Sequence, residues 1–269
     1  MARHIINYEI GELVPYINWS YFYFAWQLCD RDEQARVRKE AELVLKELDG
    51  HYRVHSVVLI SDAVSDGDDI IVNGVRIPML RQQQPDGTTG CCMCLADFVR
   101  PASSGKQDRI GVFAVTADIG LEKDFEHDAY MKMMTQLLAD RLAEAGAEKL
   151  HEQVRKRLWG YAPDEHLTMQ EMHAERFTGI RPAVGYPSLP DTGINFVISD
   201  LIAMSEIGIR LTGSGAMKPH ASVSGFMLAH PAASYFSVGK IGEDQLRDYS
   251  KRRGVPVNVM RKYLAVNLY

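Results

Sequence analysis

Residues 179–191 read GIRPAVGYPSLPD, with three prolines and two glycines around one arginine and one tyrosine. Neither a helix nor a central strand runs through such a stretch, because each proline fixes φ and lacks an N–H. Arg181 carries a planar fork of donors suited to a carboxylate or a phosphate. The prolines remove backbone entropy before any binding event, and Gly185 lets Tyr186 sit where a larger neighbour would clash. Backbone amides and carbonyls near Tyr186 and Ser188 can then read the edge of a base. The plainer alternative is a stiff loop that closes a domain edge, with Arg181 paired to a surface acid.

Other reactive residue types form weaker patterns. Cys91, Cys92 and Cys94 lie in CCMC, but a zinc site needs a second pair at matching spacing, and the one remaining cysteine is Cys29. Positions 92 and 94 share one face of an expected strand, so buried thiols acting as small hydrophobes are the better reading. Of the nine histidines, His51 and His55 stand at i, i+4 but where a helix end runs into a strand, and the others share no spacing, so no metal site is expected. Neither a GxSxG elbow nor a phosphate-cradling glycine loop occurs. Glu144, in LADRLAEAGAEKLHE, reads as an ion-pairing residue on a solvated helix face. Tyr235 and Phe236 either stack on a ring or pack in the core. The small residues of AMKPHASVSG let a flat ligand or partner approach the backbone.

The elements that must position these residues are legible in part. Asp32 to Leu48 has helical apolar spacing, with Gly50 just beyond it. VHSVVLISDAV and DDIIVNGVRIPML read as strands around a polar turn, with a tight turn at Asn73-Gly74. CCMCLADFV and RIGVFAVTAD are two further β-like runs, separated by a loop. Asp124 to Trp159 contains no proline and should form one long helix, or two with a bend near Gly146. Shorter helices are expected from about Leu167 to Phe177, from Asp191 to Gly208, over EDQLRDYSKRRG, and near the end of the chain. Residues 209–241 suit strands broken by glycine and proline. Between Tyr16 and Trp26 the aromatics cover more than one helical face, as in an enclosed element or a groove wall. Strands, a long helix and more strands without a βαβ beat indicate an α+β fold with a mainly antiparallel sheet.

Composition bounds the function. An apolar fraction of 46% over 269 residues is enough to fold without staples, as one large domain or two small ones. A net charge of −5 gives no nucleic-acid footprint. No window approaches about 18 consecutive apolar residues, so no spanning helix is expected. The N-terminus lacks a signal-peptide pattern, and four cysteines in so long a chain suit a reducing cytoplasm. No heptad demands a dimer, so a monomer is the default.

Taken together, HEQVRKRLWGYAPDE, GIRPAVGYPSLPD and RLTGSGAMKPHASVSGFMLAHPAASYFSVGKIGEDQLRDYSKRRG resemble the C-terminal activation domain of cobalamin-dependent methionine synthases. YINWSYFYFAWQL and CLADFV match it in place and order, so the resemblance runs from about Tyr16 to Leu268. Its most specific part is the Arg-x-x-x-Gly-Tyr loop, Arg181 to Tyr186.

The resemblance implies a C-shaped α+β domain around a twisted antiparallel sheet. It also implies binding of S-adenosylmethionine. A flavodoxin-like donor reduces oxidised cobalamin, and methyl transfer from S-adenosylmethionine traps the reduced state. On that basis Arg181 holds the methionyl carboxylate, and the backbone around Tyr186 and Ser188 holds the adenine. Tyr235 and Phe236 line the groove, and Glu144 and Glu175 are acids near the ligand. No residue acts as an acid or base, because the sulfonium leaves as a neutral thioether. AMKP, residues 216–219, is the expected face toward the corrin.

Three positions depart from the family. Asn18 stands where an aspartate contacts the ligand, which weakens affinity by about 1–2 kcal/mol. Phe236 replaces a second tyrosine, and Gly213 stands for the acid of LTES. The chain has no DxHxxG cobalamin signature and is too short for the homocysteine, folate and cobalamin modules. It is therefore expected to work with a separate cobalamin-binding methionine synthase chain. The alternatives are an S-adenosylmethionine-sensing or corrinoid-protein-binding regulatory module, or an activator of another corrinoid methyltransferase.

Overall fold

The computed structural model describes residues 1–85 and 90–269. β1 (Ala2–Glu9) leads into α1 (Ile10–Leu13), the aromatic helix α2 (Trp19–Ala25) and α3 (Arg31–Leu48). Next come β2 (Arg53–Asp66), β3 (Asp69–Val72), β4 (Val75–Pro78) and β5 (Asp108–Ala117). After them follow α4 (Gly120–Lys123), the long α5 (Ala129–Gln153), α6 (Met169–His173) and α7 (Ile194–Ile202). β6 (Arg210–Leu211), β7 (Met217–Lys218) and β8 (Ser222–Met227) precede α8 (Glu243–Arg253) and α9 (Val257–Tyr263).

The strands build a 6-stranded sheet in the order β4-β3-β2-β5-β8, with β1 beside β2, and a separate β6–β7 pair. Every ladder is antiparallel. The sheet curls into a half-barrel against a long helix, the C-shaped α+β architecture that the resemblance implied.

Side chains alternate across a strand, and here both sets are buried. Val57, Leu59, Val112 and Ala114 join the layer under α7 and α8. Val58, Ile60, Phe113 and Val115 join the layer under α3 and α5. A sheet with two covered faces has no polar side, which is why residues 57–60 read VVLI without alternation. Asp128 starts α5 by accepting from the Tyr130 and Met131 amides. The helix then lies close on the sheet at Gly146, where a Cβ would come within 2.8 Å of a Val54 methyl and 3.0 Å of a Val115 methyl. Any larger residue there would lift α5 off the sheet that it covers.

Several expectations need correction. α5 is one unbroken helix through Gly146, the first of the two expected arrangements, but it starts five residues later than Asp124 and passes into a π-turn over Val154–Leu158. The helix expected from Leu167 to Phe177 shrinks to α6, beyond which Glu175 adopts φ +56°. The helix expected from Asp191 to Gly208 starts at Ile194 and is interrupted at Ala203, whose φ is +52°.

CCMCLADFV is not a strand. Leu95–Phe98 is a 3-10 turn, closed by the Asp97 carboxylate accepting from the Cys94 amide. Arg81, distant in sequence, grips the same carboxylate at 2.8 and 2.6 Å, a non-local pairing that overrides the β-propensity. Of its thiols only Cys94 is buried; Cys92 is half-buried and Cys91 exposed. β1 has no counterpart among the expected elements. It is an edge strand on which Tyr8 alone is buried, so its pattern carried little signal. No helix among the described residues is long and apolar enough to cross a membrane.

Candidate functional site

The proline-rich loop is fastened to the free edge of β8. Ile180 and Leu228 exchange amide hydrogen bonds at 2.9 Å, the Phe226 amide donates to the Pro182 carbonyl at 3.0 Å, and the Val184 amide donates to the Ser224 carbonyl at 2.9 Å. Gly225 makes this possible, since a Cβ there would meet the Pro182 carbonyl oxygen at 2.1 Å. Pro182 has no N–H to return, so the segment pairs as an irregular edge and not as a full strand. Gly185 has φ +88° and open space around it. Its role is conformational, which corrects the expectation of a steric clash at Tyr186.

Facing this loop across a groove of about 640 Å³ is one side of α5. Arg181 is 8% exposed and pairs with Glu148 at 2.5 Å, with Glu144 at 4.0 Å. Its guanidinium also lies 5.7 Å from the Phe113 ring centre. Burial works against the charge, but Glu148 and then Glu144 outweigh it and hold the guanidinium above its usual pKa. The Tyr186 hydroxyl donates to Glu144 at 2.7 Å. Burial, then Glu144, pushes that hydroxyl's pKa up, so it stays a donor. The Tyr235 hydroxyl accepts from the Arg181 amide at 2.9 Å, which ties the segment after β8 to the loop. Desolvation and the neighbouring Glu148 raise the Glu175 pKa, against the pull of Arg181.

All eight residues expected at the site, Asn18, Glu144, Glu175, Arg181, Tyr186, Ser188, Tyr235 and Phe236, line this one groove. Glu144 is thus a groove residue paired to the loop, which corrects its reading as part of a solvated face. Asn18 is the N-cap of α2, its side-chain oxygen accepting from the Ser20 amide at 3.1 Å. Ser188 is buried, and its amide and carbonyl make no hydrogen bond among the described residues. Phe236 settles the stack-or-core question both ways, since it is buried in the core layer and still reaches the groove. AMKP belongs to β7 and its flank, outside the groove lining. Gly213 is also outside it, with nothing within 4 Å of a Cβ placed there.

Sequence reasoning passed over Glu148 and Arg141. Both line the groove, and they stand with Glu144 at i, i+3 and i+7 on α5. The signal was present in Glu144 and Glu148. Two like charges at i, i+4 destabilise a helix unless a cation lies between them, and Arg181 supplies it.

The lining sets three carboxylates, Glu144, Glu148 and Glu175, against two guanidiniums, Arg141 and Arg181. Buried within it, Nε of Arg181 and Oε2 of Glu148 make no hydrogen bond among the described residues. Each member of this ion pair therefore keeps one buried atom unpaired, in a groove whose lining holds more carboxylates than guanidiniums. Among the described residues, no group of His, Cys, Asp or Glu could hold a metal ion.

The sequence matches the family described as vitamin B12 dependent methionine synthase, activation domain, over residues 9–254. The chain is also similar to a solved structure, the crystal structure of the MetH reactivation domain bound to AdoHcy. The two are 39% identical with a TM-score of 0.93, over 100% of this chain and 90% of that one. A match over this span of the sequence, with the fold alike throughout, shows that the chain belongs to the family of vitamin B12-dependent methionine synthase activation domains.

Proposed function

We propose that the groove binds S-adenosylmethionine and presents its methyl group to reduced cobalamin carried by a methionine synthase partner, so returning an oxidised enzyme to its active cycle. The observation that carries this reading is the Arg181–Glu148 ion pair in the groove lining, each member with one further atom left unpaired. A zwitterionic amino-acid end needs that pair, a donor for its carboxylate and an acceptor for its ammonium. The excess of carboxylates in the lining suits the sulfonium charge. The backbone of Ser188 offers an amide and a carbonyl to the adenine edge, and Tyr186 and Tyr235 offer ring faces beside it. The similar MetH domain binds AdoHcy, which is S-adenosylmethionine without the transferred methyl.

Cobalamin, held by the partner, supplies the cobalt nucleophile. The residues of this chain bind and orient. No side chain moves a proton, because the leaving thioether is neutral, and the rate gain comes from holding the methyl in line. A flavodoxin-like electron donor, a cytoplasmic location and a single-domain organisation complete the proposal.

Calorimetric titration of S-adenosylmethionine into the chain tests it. Saturable binding is expected, weakened at least about tenfold in Arg181→Ala, the effect of losing one charge-assisted hydrogen bond. No binding at millimolar ligand would overturn it. Binding without methylation of added reduced cobalamin protein would favour a sensing module.

A further inference from the structure

Part of the groove wall has no regular structure. Tyr235, Phe236 and Ser237 line the groove, yet residues 229–240 form neither helix nor strand. A stretch of that kind has no ladder to hold it, so its position rests on separate contacts. Beside the bond from the Arg181 amide to Tyr235, Phe236 packs with its ring centre 6.4 Å from that of Phe98. The Ser237 carbonyl accepts from Nε2 of Gln82 at 2.8 Å, its one hydrogen bond among the described residues. The Val238 amide donates to the Pro187 carbonyl at 2.9 Å.

Gln82 is buried and lies outside the groove lining. A buried carboxamide costs free energy unless both its ends are bonded, and here both are. Its Oε1 accepts from the Met93 amide at 2.8 Å, while its own amide donates to the Met93 carbonyl at 3.0 Å. Met93 is itself braced on either side. Arg81 donates to the Cys92 carbonyl at 2.7 Å and grips Asp97, whose carboxylate accepts from the Cys94 amide. The Gln82 side chain is therefore a strut from a fixed segment to a groove wall that has no ladder of its own.

The strut reaches further than Ser237. The Ser237 carbonyl and the Val238 amide belong to one planar peptide unit, so holding the first aims the second. The same holds for the Pro187 carbonyl and the Ser188 amide. Neither peptide is cis, so each passes the direction straight through. A single hydrogen-bonded chain thus runs from Gln82 through two peptide planes to the Ser188 amide, in the groove lining, and each bond polarises the next.

We propose that Gln82 is a positioning residue for the groove, setting the direction of the Ser188 amide through the Ser237–Val238 and Pro187–Ser188 peptides. That this amide meets the adenine rests on the S-adenosylmethionine reading; the positioning itself does not.

The test is site-resolved amide exchange by nuclear magnetic resonance on the ligand-free chain. Gln82→Glu keeps an acceptor for the Met93 amide but turns an oxygen toward the Ser237 carbonyl. The Val238 amide should then exchange about tenfold faster, as for one lost hydrogen bond, and the Ser188 amide signal should shift. The Ile180, Val184 and Leu228 amides, on the β8 edge, should keep their rates. Unchanged Val238 and Ser188 signals in the folded variant overturn the proposal. Equal acceleration of all these amides overturns it too, because Gln82 would then serve stability alone. Should the buried carboxylate prevent folding, the neutral Gln82→Leu must give the same local change. Where the native chain binds S-adenosylmethionine, Gln82→Glu should bind it about tenfold more weakly, and equal affinity would overturn the role in binding. Failure of the native chain to bind would sink only the functional reading, since exchange is read without ligand.

Discussion

Two buried arginine clusters belong to the two core layers of the sheet, and they are finished differently. Around Asp191, Oδ1 accepts from the Gly193 amide at 2.8 Å, and Oδ2 accepts from the Tyr249 hydroxyl at 2.8 Å and from Nε of Arg253 at 3.0 Å. No buried side-chain atom of Asp191, Tyr249 or Arg253 lacks a partner. Around Arg181 the same chemistry is left half used, with Nε and the facing Glu148 oxygen unpaired. A saturated cluster has nothing further to offer and serves the fold. A cluster with spare capacity on a groove can serve the fold and a ligand together, at some cost in stability while empty.

The largest effect should come from breaking the closed cluster. Asp191→Ala strands a buried guanidinium and a buried hydroxyl, and should cost about 3–5 kcal/mol in urea unfolding. A loss below about 1 kcal/mol would erase the contrast with the groove cluster.

The open cluster carries its own pH signature. Burial, then Arg155 and Arg181, lowers the His151 pKa well below the 6.5 of an unperturbed histidine. Below that pH the unfolded chain takes up a proton that the native chain refuses. Stability should therefore fall by about 1.4 kcal/mol per pH unit as the solution is acidified. His151→Leu should remove that part of the slope. Equal slopes in unfolding experiments from pH 7 to 5 would mean that His151 titrates normally.

Asn18→Asp sharpens the comparison at the groove rim. The cap on α2 is kept, since aspartate caps as well as asparagine. The added charge should tighten S-adenosylmethionine binding by about 1 kcal/mol in calorimetry, with little change in stability. Weaker binding would mean that residue 18 does not face the cationic part of the ligand. The smallest effect is expected for Gly213→Glu, an exposed site with open space. Affinity and stability should each stay within about 0.5 kcal/mol, and a larger change in affinity would extend the groove to the β6–β7 pair.

Legibility followed the range of the interactions. The loop from Arg181 to Ser188 was readable because proline and glycine act on their own backbone. α3, β2 to β5 and α8 were readable because their apolar periods are local. The CCMC segment misled because its β-forming residues are overruled by Arg81, which reaches Asp97 from another part of the chain. α6 fell short of its apolar pattern because the chain turns at Glu175 with positive φ, which no residue nearby announces. Glu148 passed for surface because its neighbours Glu144 and Lys149 look like a solvated ion-pair row. Only the approach of the loop turns that row into the half-buried floor of a groove.

The sequence by itself determined the stiff loop, the α+β architecture and eight of the groove residues, since these rest on backbone restriction, hydrophobic period and motif order. Tertiary structure alone decided that the free edge of β8 takes up the loop, that Arg181 comes to lie between Glu144 and Glu148, and that Arg155 and His151 are shut in behind them. The first two depend on contacts between segments 30 or more residues apart, and all three on which polar groups burial leaves unpaired, as at Arg181 and Glu148. Local propensity carries no record of either.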